Sequence, residues 1–92
     1  MKFSLWPDNR RVPDELLEQA RVAEETGWHG VWLADHYMPN TGDTTPARGD
    51  AYECWGLLPA LAAVTERVRI GTLVSPTSVH HPALLAKRAC TI

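Results

Sequence analysis

The sequence has no excess of positive charge: nine Lys and Arg stand against eleven Asp and Glu, a formal net charge of −2. That balance removes the electrostatic footprint by which proteins hold nucleic acid or an anionic membrane surface. No apolar run approaches the roughly 20 residues that cross a bilayer as a helix. The opening Met1-Lys2-Phe3-Ser4-Leu5-Trp6-Pro7 is too briefly apolar for a secretory signal core. Cysteine is scarce. Cys54 and Cys90 form no C-x-x-C pair, so neither a zinc clip nor a disulfide framework is expected, only two free thiols in a reducing cytoplasm. No H-x-H, H-x-x-x-H or H-E-x-x-H spacing occurs, and no metal is expected. His80-His81 are adjacent and read as a solvated loop before a helix start. Neither G-x-G-x-x-G nor G-x-x-x-x-G-K is present, which removes the Rossmann dinucleotide fingerprint and the P-loop.

What is present is ordinary for a globular chain: 45% hydrophobic and 22% charged residues, too apolar for a disordered tail. A soluble, cytoplasmic protein is the expectation. The order strand, loop, helix then repeats three times. Lys2 to Trp6 reads as a short strand, stopped by Pro7, which has no ladder donor. Pro13 suits a first helical turn, with Asp14 and Glu15 favoured by the helix dipole. Leu16, Leu17, Ala20 and Ala23 make one apolar face, and Gly27 fits a left-handed cap. Val31-Trp32-Leu33-Ala34 is continuously apolar, the pattern of a parallel strand covered on both sides.

An irregular stretch from Tyr37 to Asp50 follows, of a length that is usually functional or disordered. A second helix is expected from about Tyr52 to Val68, with Pro59 either delaying its start to Leu58 or kinking it. Arg69 to Ser75 reads as the third strand, and Pro82 opens a third helix, Ala83 to Ile92, with no cap before the last residue. The repeat of roughly 30 to 40 residues matches the average unit of an eight-fold barrel. Three parallel strands alone leave bare edges. The expected fold class is α/β, the first three strand–helix units of a truncated TIM (β/α)8 barrel, with residues 1–92 the N-terminal part of one domain.

Active sites of such folds lie at the C-terminal ends of the strands. Trp6-Pro7-Asp8, Asp35-His36 and Val74-Ser75-Pro76-Thr77 qualify by position. A carboxylate leaving a buried apolar strand is costly without a partner, and histidine is the natural acid or base near neutral pH. Two readings of Asp35-His36 stand: an acid–base pair, or a capping aspartate beside a histidine satisfied by backbone carbonyls. Glu53 reads either as a first-turn glutamate favoured by the helix dipole or as a site residue, with Trp55 in the core or beside it. Ser75 and Thr77 read as turn formers.

Four patches together resemble the luciferase-like monooxygenase family: Gly30 to Tyr37, Glu53-Cys54-Trp55, Thr65 to Val74, and His81 to Lys87. The resemblance implies an eight-fold barrel whose complete chain is several times longer. It implies an oxidoreductase using reduced FMN or a reduced deazaflavin of the coenzyme F420 type, for monooxygenation or hydride transfer on a small organic substrate. By the same analogy His36 is the catalytic proton donor or acceptor, and Asp35 holds it or the cofactor ring. Thr72, Leu73 and Val74 back the ring, with the Leu73–Val74 peptide a candidate cis bond. Trp6, Glu53 and Trp55 line the substrate side. A homo-oligomer is expected of the complete form, and no catalysis of these residues alone, because the cofactor-phosphate contacts of the family belong to later units. The alternatives are an inactive remnant or assembly piece, and a metal-dependent barrel hydrolase. The last expects histidine ligands after the first strand, where Leu5-Trp6-Pro7-Asp8 has none.

Overall fold

The computed structural model describes residues 1–38 and 51–92. Among these residues six elements alternate: β1 (Ser4–Leu5), α1 (Pro13–Glu25), β2 (Gly30–Ala34), α2 (Cys54–Val64), β3 (Arg69–Leu73) and α3 (Pro82–Ala89). The strands form one parallel sheet in chain order, β1-β2-β3, with Ser4 opposite Gly30 and Gly30 opposite Arg69. The stretch expected to be irregular lies, from residue 39 to 50, outside the described residues.

Hydrophobic periodicity decides which face of each element is buried. From α1, Leu16, Ala20 and Ala23 enter the core, as their three- and four-residue spacing requires. Val31 and Leu33 of β2 meet them, and Cys54, Leu57, Leu58 and Leu61 of α2 complete the cluster with Val68. Val31 and Leu33 alternate with Trp32, which lies on the opposite face of the sheet. There the indole rests against two glycines. A Cβ built on Gly71, the register partner of Trp32, falls 2.7 Å from the ring, and one on Gly30 falls 2.8 Å from it. Both positions need glycine for that close approach.

Helix ends show where local chemistry overrides periodicity. α1 begins at Pro13 and closes in a Schellman arrangement: Gly27 takes φ 75°, Trp28 N–H donates to Ala23 O, and Gly27 N–H donates to Glu24 O. α2 runs unbroken through Pro59 from Cys54, so neither a delayed start nor an end at Val68 is observed. It stops at Val64 because Thr65 turns extended and its hydroxyl donates to Leu61 O at 2.9 Å. The Glu24 carboxylate then accepts from the Arg67 and Val68 amides, which places Val68 in the core as part of a loop.

β1 is two residues long rather than five, with Phe3 O accepting from His29 N–H beyond its formal end. β3 ends at Leu73 rather than Ser75 because Val74 takes φ 69°, which no strand residue adopts. α3 ends at Ala89, two turns long, and Thr91 closes it by donating from its hydroxyl to Lys87 O at 2.7 Å. None of its residues is buried.

Candidate functional site

Asp35 follows β2 directly and is 3% exposed. A buried carboxylate needs donors, and three converge on its Oδ2. Trp55 Nε1–H donates from the first turn of α2 at 3.1 Å. Ser75 Oγ lies at 3.0 Å and His80 Nε2 at 2.6 Å, both from the segment between β3 and α3. Ser75 Oγ is also 3.1 Å from Thr72 Oγ1. A carboxylate only accepts, so Ser75 gives its single proton to Asp35 and takes one from Thr72. The end of β2 is thus joined by side chains to its own helix α2 and to the third unit.

His36 points elsewhere. Residues in succession along an extended chain alternate faces, and Asp35 shares parity with the helix-facing Val31 and Leu33. His36 instead lines a cleft of about 240 Å³ with Trp6, Asp8, Asn9 and Arg10. Among the described residues Asp35 makes no hydrogen bond to His36, so the expectation that Asp35 holds His36 is corrected: its carboxylate faces His80. The cleft is bounded by the ion pair of Arg10 with Asp8, whose guanidinium bonds hold the Asp8 carboxyl down at about 2. Buried Asn9 ties the first loop to the second unit at two points, the end of β2 and the approach to α2. Its side-chain amide donates to Ala34 O at 3.3 Å and its carbonyl accepts from Tyr52 N–H at 3.0 Å.

Thr72 is half-buried, whereas Leu73 and Val74 are 40% and 69% exposed and present apolar surface at the strand end. The Leu73–Val74 peptide is trans, contrary to the cis bond expected there. The sharp change of direction comes instead from the left-handed φ of Val74, a conformation costing a β-branched residue about 1–2 kcal/mol.

Glu53 is the N-cap of α2. Its two carboxylate oxygens accept from Trp55 N–H at 3.0 Å and Gly56 N–H at 2.6 Å. Glu53 and Trp55 line a cavity of about 350 Å³ shared with Lys87 and Arg88, while Trp6 lies in the cleft with His36. The sequence-selected substrate-side residues are therefore divided between two recesses. Both cysteines are free. Burial and the neighbouring Asp35 and Glu53 charges push the Cys54 thiol up to about 12, and its Sγ lies 3.7 Å from Leu33 O. It is a core residue and a poor nucleophile.

Sequence reasoning missed His80, read as solvated; its side chain is 5% exposed. It also took Ser75 for a turn former. One signal pointed to both: a carboxylate at a buried strand end demands donors from the neighbouring strand ends.

A family model described as luciferase-like monooxygenase matches residues 1–92. Among curated proteins, an F420-dependent glucose-6-phosphate dehydrogenase of Amycolatopsis mediterranei is 39% identical over 85 residues. The match covers 87% of this chain, which spans only 23% of that relative's length. A coenzyme F420 dependent tetrahydromethanopterin reductase from Methanopyrus kandleri superposes with a TM-score of 0.80 at 22% identity, covering 98% of this chain and 22% of that one. An F420-dependent secondary alcohol dehydrogenase, solved in complex with an F420-acetone adduct, superposes with a TM-score of 0.79 at 27% identity, covering 95% and 26%. The fold is that of three strand–helix units of a (β/α)8 barrel.

Proposed function

The chain belongs to the luciferase-like monooxygenase family, and on that premise we propose that the complete protein is a coenzyme F420-dependent oxidoreductase acting on a small organic substrate. The observation that carries this reading is the relationship, at 39% identity, to a curated F420-dependent dehydrogenase. The strand-end residues fit such a group. A deazaflavin ring has apolar faces and a polar edge, and the strand ends offer the exposed Leu73 and Val74 beside the buried Asp35 carboxylate. Asp35, Thr72, Leu73 and Val74 are the residues that would hold the ring. When bound, the deazaflavin exchanges a hydride with the substrate, and the redox chemistry is its own.

The chain's own residues bind, orient and exclude water. Asp35 supplies a fixed negative end to the site, pinned by Trp55, Ser75 and His80. Val74, held at φ 69°, turns the chain out of the sheet and brings an apolar side chain to the strand end. His36, half-buried in its cleft with Trp6, is the candidate to hold or move a proton at a substrate oxygen. Glu53 serves the site indirectly, by capping the helix from which Trp55 reaches Asp35.

The test is titration of the full-length protein with coenzyme F420 and, separately, with FMN, followed by fluorescence. Saturable F420 binding, with FMN at least about tenfold weaker, is the expected result, a difference of about 1.4 kcal/mol. Preference for FMN would overturn the deazaflavin reading. His36→Ala should lower turnover by roughly 10²- to 10⁴-fold, the usual range for acid–base groups, with little change in F420 affinity. Unchanged turnover removes His36 from the site.

A further inference from the structure

His80 stands apart from the residues that carry the family resemblance, yet it makes the shortest contact to Asp35, 2.6 Å from Nε2 to Oδ2. Its side chain is 5% exposed and that of Asp35 2%. The ring is also held in place by its neighbours. The Trp55 indole meets it edge-on with centroids 6.2 Å apart, and the tilted Tyr37 ring lies at 6.4 Å. With Asp35 as the carboxylate, Nε2 carries the hydrogen. Trp55 Nε1–H and Ser75 Oγ–H converge on the same oxygen, whose acceptor capacity is thereby fully used. Among the described residues nothing donates to Oδ1.

We propose that His80 is a positioning residue for the strand-end site, fixing the Asp35 carboxylate with Oδ2 saturated so that Oδ1 is the acceptor offered to a ligand N–H. The inference rests on the reading that this site holds a deazaflavin ring, whose polar edge supplies such a donor. His80 reaches the ligand only through Asp35. Its contribution is a donated hydrogen bond from a ring packed near Trp55 and Tyr37, and no proton is transferred. A neutral side chain of similar reach with one N–H therefore does the same work.

That distinction sets the experiment. In the full-length protein, F420 affinity is measured by fluorescence for the unsubstituted chain, His80→Gln and His80→Ala, with melting temperatures recorded on each. His80→Ala should weaken binding about tenfold, as loss of a bond to a charged acceptor does. His80→Gln, which keeps an N–H donor, should stay within about threefold of the unsubstituted protein. Equal loss in both variants, or a change under about twofold in His80→Ala, overturns the proposal. In parallel, proton–nitrogen spectra of ring-labelled histidine should show one exchange-protected Nε2–H that is absent from His80→Gln. An Nε2–H that exchanges freely with water also overturns it. Should the unsubstituted protein bind no F420, the deazaflavin reading falls, and the protected Nε2–H alone decides whether His80 holds Asp35.

Discussion

Two carboxylates sit at opposite ends of the sheet and are satisfied in opposite ways. Glu24, at the end of α1 near the strand N-termini, accepts from the main-chain amides of Val68 at 2.8 Å and Arg67 at 2.9 Å. The Val68 bond foremost, with the Arg67 and Glu66 amides behind it, holds its carboxyl below the usual glutamate range. Asp35, at the strand C-termini, is satisfied entirely by side chains 20, 40 and 45 residues away. Main-chain donors are available whatever residue carries them, so Glu24 fastens one loop to one helix. Side-chain donors depend on three particular residues, and they assemble a polar cluster where barrel enzymes place their chemistry. The lower carboxylate fastens the fold; the upper one gathers a polar cluster at the strand C-termini.

The contrast is sharpest in the response to deletion. Asp35→Ala leaves Trp55 Nε1, Ser75 Oγ and His80 Nε2 without their acceptor in a buried place, and should cost about 3 kcal/mol in denaturant unfolding. A loss below about 1 kcal/mol would mean that water satisfies the three donors and would break the comparison. Strain distinguishes the two ends as well. Val74→Gly relieves a left-handed β-branched residue and should stabilise the protein by about 1 kcal/mol while weakening F420 binding. Stabilisation with unaltered binding would assign the φ of Val74 to the fold alone.

The smallest effect is at the lower end. The folded-state value of Glu24 is lowered, so its contribution is present above the ordinary 4.5 and is lost as pH falls through the depressed value. Glu24→Gln should therefore lower the melting temperature in the neutral region and leave the acid end of the profile nearly unchanged, so that the acid limb flattens. A parallel displacement of the whole profile would show that packing, rather than charge, is what Glu24 contributes.

Element order, parallel pairing and the starts of α1 and α3 were legible because they rest on local signals: apolar spacing, and prolines at first-turn positions. The ends were harder. α2 stops early through a hydroxyl at Thr65 and a carboxylate on another helix, and β3 stops at a residue whose φ no propensity for valine foretells. In the site, the position of Asp35 at a buried strand end was readable, and so was the need for partners. Which partners was not readable. His80 looks like half of a surface dipeptide until the fold carries it to a residue 45 positions earlier. The pairing of Asp35 with His36 failed for a simpler reason, since neighbours along an extended chain face apart.

The indole of Trp32, lying across Gly30 and Gly71, makes three positions on two strands share one volume. Any residue larger than glycine at either flanking position needs a smaller one in the middle. Exchanges among these three sites should be strongly non-additive: Gly71→Ala disruptive alone, and milder once Trp32→Leu has vacated the space. The same arrangement gives the sheet face opposite the helices a built-in optical probe. With Trp6, Trp28 and Trp55 replaced by Phe, Trp32 emission should report when neighbouring strands cover that face during folding.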